Sequence, residues 1–161
     1  MKTLWIARHA EAGHQTSDFL RTLTNRGRRQ AQEMGAFIKA QKTELTQIIC
    51  SDSVRTLETL SNWQLDEHTM KRTRIEPLLY LGEHRTLLKT LCKEDDHFPH
   101  LCLLAHNPGT SDLILHLAQQ SHNLQPGELA EITLDVQSWR EVSEGFGKLV
   151  RIFKPEQKPL T

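Results

Sequence analysis

Apolar residues fall into short runs along this chain, and each run stops at a polar cluster. TLWIA at 3–7 ends at Arg8-His9, QIIC at 47–50 ends at Ser51-Asp52-Ser53, and LCLLA at 101–105 ends at His106-Asn107. Such runs predict strands, and the unbroken apolar character of LCLLA predicts one covered on both faces. Between the strands the spacing lengthens to three and four. Ala31, Met34, Phe37 and Ile38 predict a helix from Asn25 to about Gln41. Leu87, Leu88 and Leu91 predict another over 83–93, and Leu113, Ile114 and Leu117 a third from Thr110 to about Gln120, with Thr110 or Ser111 near its start. SDSVRTLETLSNW opens on a Ser-Asp-Ser cluster able to cap a helix. ELAEITLDV and GKLVRIFKP alternate as a strand pair. Residues 10–25 are polar and turn-rich, which predicts a long loop of the kind that often carries function, and 74–81 predict a weak strand or extended loop.

Strands interleaved with helices predict an α/β fold, a three-layer α/β/α sandwich with a mostly parallel central sheet and an antiparallel edge. Residues 1–154 read as one domain and 155–161 as a loose C-terminal tail. In open sheets of this kind, ligands bind beyond the carboxyl ends of the strands. Three predicted strand ends carry polar reactive groups there: Arg8-His9, Ser51 to Arg55, and His106-Asn107.

Charge narrows the partners. Among 161 residues, Lys+Arg and Asp+Glu both number 20, and this zero balance argues against a general nucleic-acid or membrane surface. No apolar run is long enough to predict a membrane span. The chain begins on a strand with no signal-peptide pattern, and its 3 cysteines are odd in number with no CxxC spacing. These features predict a cytoplasmic protein. Cys92, His97, His100 and Cys102 match no common zinc spacing, so no metal site and no cofactor are expected.

Two arginines and two histidines around one crevice suit a phosphoryl dianion. Guanidinium forks match phosphate oxygens and keep their charge. A neutral imidazole can attack phosphorus in line and form a covalent phosphohistidine; a protonated one can donate a hydrogen bond to developing charge. His9 is the better nucleophile candidate, since the adjacent Arg8 can hold the phosphate as His9 approaches. No divalent metal is then needed, because cationic side chains supply the electrostatics.

The motifs RHAEA (8–12), LTNRGRRQA (23–31), SDSVRTLET (51–59) and AHNPGTSDL (105–113) together resemble the histidine phosphatase superfamily. Order, spacing and length resemble its short SixA-like phosphohistidine phosphatase branch over essentially the whole chain. The resemblance implies a phosphoglycerate mutase-like fold, His9 as the phosphorylated nucleophile, and Arg8, Arg55 and His106 as the rest of the phosphate pocket. His106 would also serve in acid–base transfer. The third signature position, usually Gly, is Ala10 here.

A second departure bears on substrate. Larger members place a glutamate proton donor before the third helix, whereas the equivalent position here is Leu78 or Leu79, with Glu83 the only close carboxylate and Glu76 preceding a proline. An alkoxide leaving group gains typically 10²–10⁴-fold from a general acid. The P–N bond of a phosphohistidine is more labile and its imidazole is partly protonated near neutral pH. The chain also lacks a long cap insertion, so an open pocket is expected. Both features point to a histidine-phosphorylated protein of a phosphorelay or phosphotransfer system as substrate, and to a site that binds phosphate or sulfate. Two alternatives stand beside this: a small-molecule phosphomonoesterase using Glu83 as acid, and a non-catalytic module that binds phosphohistidine or a partner. Arg21, Glu83, His84 and Asn107 are further candidates for substrate contact. The cluster RGRRQ at 26–30 reads as a solvated helix face, and Trp5, Trp63 and Trp139 as packing residues.

Overall fold

The computed structural model describes residues 1–156. Six strands form a single sheet: β1 (Lys2–Arg8), β2 (Gln47–Cys50), β3 (Thr73–Ile75), β4 (His100–Ala105), β5 (Leu129–Leu134) and β6 (Gly147–Phe153). Their spatial order is β3-β2-β4-β1-β5-β6. β1 to β4 run parallel, and β5 and β6 add the antiparallel edge.

Alternation of side chains along β1 builds the layers. Leu4 and Ile6 face a core with Leu87, Leu91, Leu113, Ile114 and Leu117, drawn from α4 (His84–Leu91) and α5 (Gly109–Ala118). Trp5 and Ala7 face the opposite core with Ala31, Met34, Ile38 and Leu60, drawn from α1 (Asn25–Lys39) and α2 (Val54–Asn62). Both faces are therefore covered, which is why LCLLA is apolar at every position. Trp5, Trp63 and Trp139 are all fully buried, as expected of packing residues.

Several elements depart from the sequence reading. The first helix stops at Lys39, short of Gln41. The last starts at Gly109 with Pro108 as its cap, because the Thr110 and Ser111 hydroxyls both donate back to Asn107 Oδ1 at 2.6 Å. A short helix α3 (Glu67–Lys71), capped by Asp66 accepting from Thr69 N–H, has no clear apolar period and escapes the pattern. The 10–25 loop contains a 3-10 turn at Asp18–Leu20. Within 74–81 the strand ends at Ile75 and a 3-10 turn follows at Pro77–Leu79. In the RGRRQ cluster, Arg28 and Arg29 face solvent, but Gly27 and Gln30 are buried. Of the predicted tail, residues 157–161 lie outside the described residues, while Glu156 N–H donates to the Glu33 carboxylate of α1 at 2.6 Å.

The starts of α4 and α5 meet closely: a methyl group at Gly109 would lie 2.1 Å from the Gly82 carbonyl oxygen. Backbone cannot yield there as a flexible side chain can. Gly109→Ala is expected to destabilise the fold by about 1–3 kcal/mol, read as a lowered urea midpoint with unchanged slope.

Candidate active site

Parallel alignment of β2, β4 and β1 sets three strand ends side by side. Arg8 closes β1 and His9 follows it, its N–H donating to Ala105 O at 3.2 Å. His106 follows β4, and Ser51 follows β2 with its N–H on Leu104 O at 3.0 Å. Arg55 enters from the first turn of α2, whose cap Ser53 accepts from Thr56 N–H. This helix start favours anions by its aligned peptide dipoles.

The hydrogen bonds fix the state of His9. Its Nδ1 lies 2.7 Å from Ala10 O, an atom that only accepts, so Nδ1 carries the proton. The lone pair then sits on Nε2, where Arg55 Nε–H donates at 3.2 Å. Burial, opposed in part by the Ala10 carbonyl and reinforced by Arg55 and Arg8, lowers the His9 pKa to about 3. The ring is thus neutral at physiological pH, with an unprotonated Nε2. Ala10 is itself fully buried, its N–H donating to Thr59 Oγ1 at 3.0 Å.

His106 lies beside it, the two ring centroids 5.2 Å apart. Its Nε2 is 2.9 Å from Ser51 Oγ, and its Nδ1 is buried with no hydrogen-bond partner. Burial first, then His9 and Arg55, lower its pKa to about 3. Arg8 spends NH1 on Leu124 O at 2.9 Å, while its buried Nε has no partner. Burial and the nearby Arg55 and Arg21 weaken its basicity.

Two residues outside the sequence-based site, Asp18 and Tyr80, join the cluster, together with Ser51 from the end of β2. Asp18, from the 3-10 turn, accepts from Arg55 NH2 at Oδ2 (3.1 Å), and its backbone carbonyl accepts from Arg55 NH1 at 2.7 Å. Tyr80, the chain's 1 tyrosine, donates its hydroxyl to the same Asp18 Oδ2 at 2.5 Å and packs edge-on to His106 and Phe19. Ser51 orients His106. Asp18 lies in the polar 10–25 loop, a stretch of the kind that often carries function; Tyr80 lies in the 74–81 segment, where the family pattern points to a carboxylate and not to a phenol.

The four weaker candidates separate. Arg21 stays near the site, donating to Gly13 O at 2.8 Å and to Asp18 Oδ1 at 3.3 Å, so it braces the loop that carries Asp18. Asn107 is consumed by the fold: its amide donates to Asn123 and Leu124, and its oxygen accepts from Thr110 and Ser111. Both polar atoms of the Asn107 side chain are thus engaged within the fold. His84 turns toward His116, ring centroids 5.3 Å apart. Glu83 is the exposed cap residue of α4 with no side-chain bond to it. Leu79 is buried in the core and Leu78 is exposed, while Glu76 pairs with Arg74 at 2.6 Å. Among the described residues no group of three His, Cys, Asp or Glu side chains is gathered to hold a metal. Cys50, Cys92 and Cys102 are free thiols.

An α/β sandwich that gathers two arginines and two histidines at one edge of its sheet has the chemistry to take an oxyanion. Residues 4–77 match the model of the histidine phosphatase superfamily, branch 1. The chain is similar to the SixA protein of Nakamurella multipartitia (21% identity, TM-score 0.87, covering 96% of this chain and 96% of that one). It is also similar to the protein histidine phosphatase SixA complexed with tungstate (21% identity, TM-score 0.80, covering 95% and 97%). A mycobacterial glucosyl-3-phosphoglycerate phosphatase has the same fold at greater distance (13% identity, TM-score 0.68, covering 92% and 97%). At these identities the structural likeness speaks for the fold. No curated protein matches the chain. No helix among the described residues is long and apolar enough to cross a membrane.

The two depressed histidines link folding to pH. Between the ordinary value of 6.5 and the folded value of about 3, the unfolded chain binds the protons that folded His9 and His106 refuse. Their contribution to stability is therefore complete above about pH 7 and lost as pH falls. Replacing His106 by Asn should reduce the drop in urea-unfolding stability between pH 7 and 4.5 by about 1–2 kcal/mol. An equal drop in wild type and variant would contradict a neutral, buried His106.

Proposed function

We propose that the chain is a phosphohistidine phosphatase acting on a histidine-phosphorylated protein. The observation that carries this reading is the state of His9. Its Nδ1–H is tied to Ala10 O, and its Nε2 lone pair lies on the guanidinium that would hold the phosphate. In the first step Nε2 attacks phosphorus, and the P–N bond to the substrate imidazole breaks with its electron pair returning to that ring. Water then attacks the phosphorus of phospho-His9, releasing inorganic phosphate and restoring the His9 lone pair.

Arg8 and Arg55 balance the charge on the equatorial oxygens. The Nδ1 of His106 is a second ring nitrogen in the pocket without a partner, and it completes the pocket as a donor once a dianion raises its proton affinity. With these cations in place the transfer needs no divalent metal. No glutamate reaches the cluster from the 76–83 segment, which favours a phosphoramidate over a sugar ester. The protein-histidine reading is further supported by the likeness to a protein histidine phosphatase complexed with tungstate, itself a tetrahedral oxyanion. Residues 1–154 act as one domain in this reading, and substrates of this kind place the protein in the cytoplasm.

Incubation with a phosphorus-labelled histidine phosphoprotein should leave acid-labile label on wild-type protein and none on His9→Ala. Arg8→Ala and Arg55→Ala should each lower kcat/KM by at least about 10²-fold, the usual cost of one oxyanion donor. EDTA should leave turnover unchanged. Faster hydrolysis of sugar phosphates than of phosphohistidine would favour the phosphomonoesterase alternative, and tight binding without turnover would favour a binding module.

A further inference from the structure

The guanidinium of Arg55 spans the depth of the site. Its Nε faces His9, which is 6% exposed, at the floor. Its two terminal nitrogens face Asp18, whose side chain is 46% exposed, at the mouth. A phosphoryl group attacked by His9 expels its leaving group away from His9, toward the mouth. Asp18 therefore stands on the side where the leaving group departs. Its Oδ2 is held by Tyr80 and Arg55, and Oδ1 by Arg21 at 3.3 Å on the exposed side. The Tyr80 hydroxyl, then Arg21 and Arg55, lower its pKa to about 2, so the carboxylate is charged throughout the physiological range.

A fixed negative charge at the exit of a phosphate site is costly for an ester. Its leaving oxygen departs with growing negative charge, and an anionic substrate is repelled as it enters. A phosphohistidine differs because its second ring nitrogen takes a proton. The protonated ring is cationic and carries an N–H; when the P–N bond breaks, its electrons cancel that charge and the ring leaves neutral, with the proton still on the far nitrogen. No proton has to be delivered during the step.

We propose that Asp18 is the specificity-determining residue of this site: its carboxylate accepts the N–H of the substrate's far imidazole nitrogen, favours the protonated ring, and selects phosphohistidine over phosphate esters. Tyr80 and Arg21 are positioning residues that hold the carboxylate at the exit. This inference rests on the phosphohistidine reading, and it accounts for a site without a glutamate acid: the substrate brings its own proton, and Asp18 keeps it there.

The test compares kcat/KM for N-phosphohistidine and for p-nitrophenyl phosphate in wild type, D18N and D18E, with inorganic phosphate as competitive inhibitor. In D18N the ratio of phosphohistidine to ester turnover should fall at least tenfold, and phosphate should inhibit at severalfold lower concentration because a neighbouring negative charge is gone. D18E should restore much of the ratio. Tyr80→Phe should move the ratio the same way by a smaller factor. An equal loss on both substrates in D18N, with the ratio unchanged, would show that Asp18 only positions Arg55 and would overturn the inference while leaving the phosphohistidine reading intact. Wild-type turnover of the ester with none of phosphohistidine would overturn both.

Discussion

A buried guanidinium keeps its charge, and Arg55 shows how much structure that constraint commands. At 2% exposure it must find partners for its donors within the protein. It does so by reaching the neutral nitrogen of His9, the carbonyl of Asp18 and the carboxylate of Asp18. Those three contacts draw together the end of β1, the start of α2 and the loop between β1 and α1. The same charge helps hold His9 and His106 neutral, since a further cation beside it is disfavoured. The neutral His9, the buried guanidinium and the charged Asp18 beside it are thus consequences of placing one arginine.

The sheet makes that placement possible. Parallel β2, β4 and β1 end on one edge, and their spacing of about 4.8 Å brings Ser51, His106 and Arg8-His9 within side-chain reach. Antiparallel neighbours would have sent alternate ends to opposite edges. Rigidity comes from below. Ala10, Thr59 and the α2 backbone are linked by a chain of hydrogen bonds, and the close approach of Gly109 to Gly82 seats α5 against the segment that leads into α4.

The strands β1, β2 and β4, both strands of the antiparallel edge and helices α1, α2, α4 and α5 were legible because burial on a sheet or helix face imposes a period on the residues. What escaped had no such period. The helix α3 is short and mostly polar, and its start depends on one aspartate cap. At α5 the hydroxyls of Thr110 and Ser111 looked like caps and are spent on Asn107 instead, a choice made by loop geometry. That same geometry commits the Asn107 side chain to the loop, and the His84 ring packs against His116.

From the sequence alone came the layered α/β architecture and the convergence of Arg8, His9, Arg55 and His106, because strand ends are marked by the abrupt close of apolar runs and because paired arginines and histidines have few uses other than gripping an oxyanion. Only the tertiary structure decided that His9 carries its proton on Nδ1, that His106 leans on Ser51, and that Asp18 and Tyr80 close the mouth. Those are contacts between segments far apart in the chain, with separations of 62 residues for Asp18–Tyr80 and 37 for Arg55–Asp18. Local pattern encodes which face of an element is buried; it carries no record of which distant side chain a polar atom will meet there.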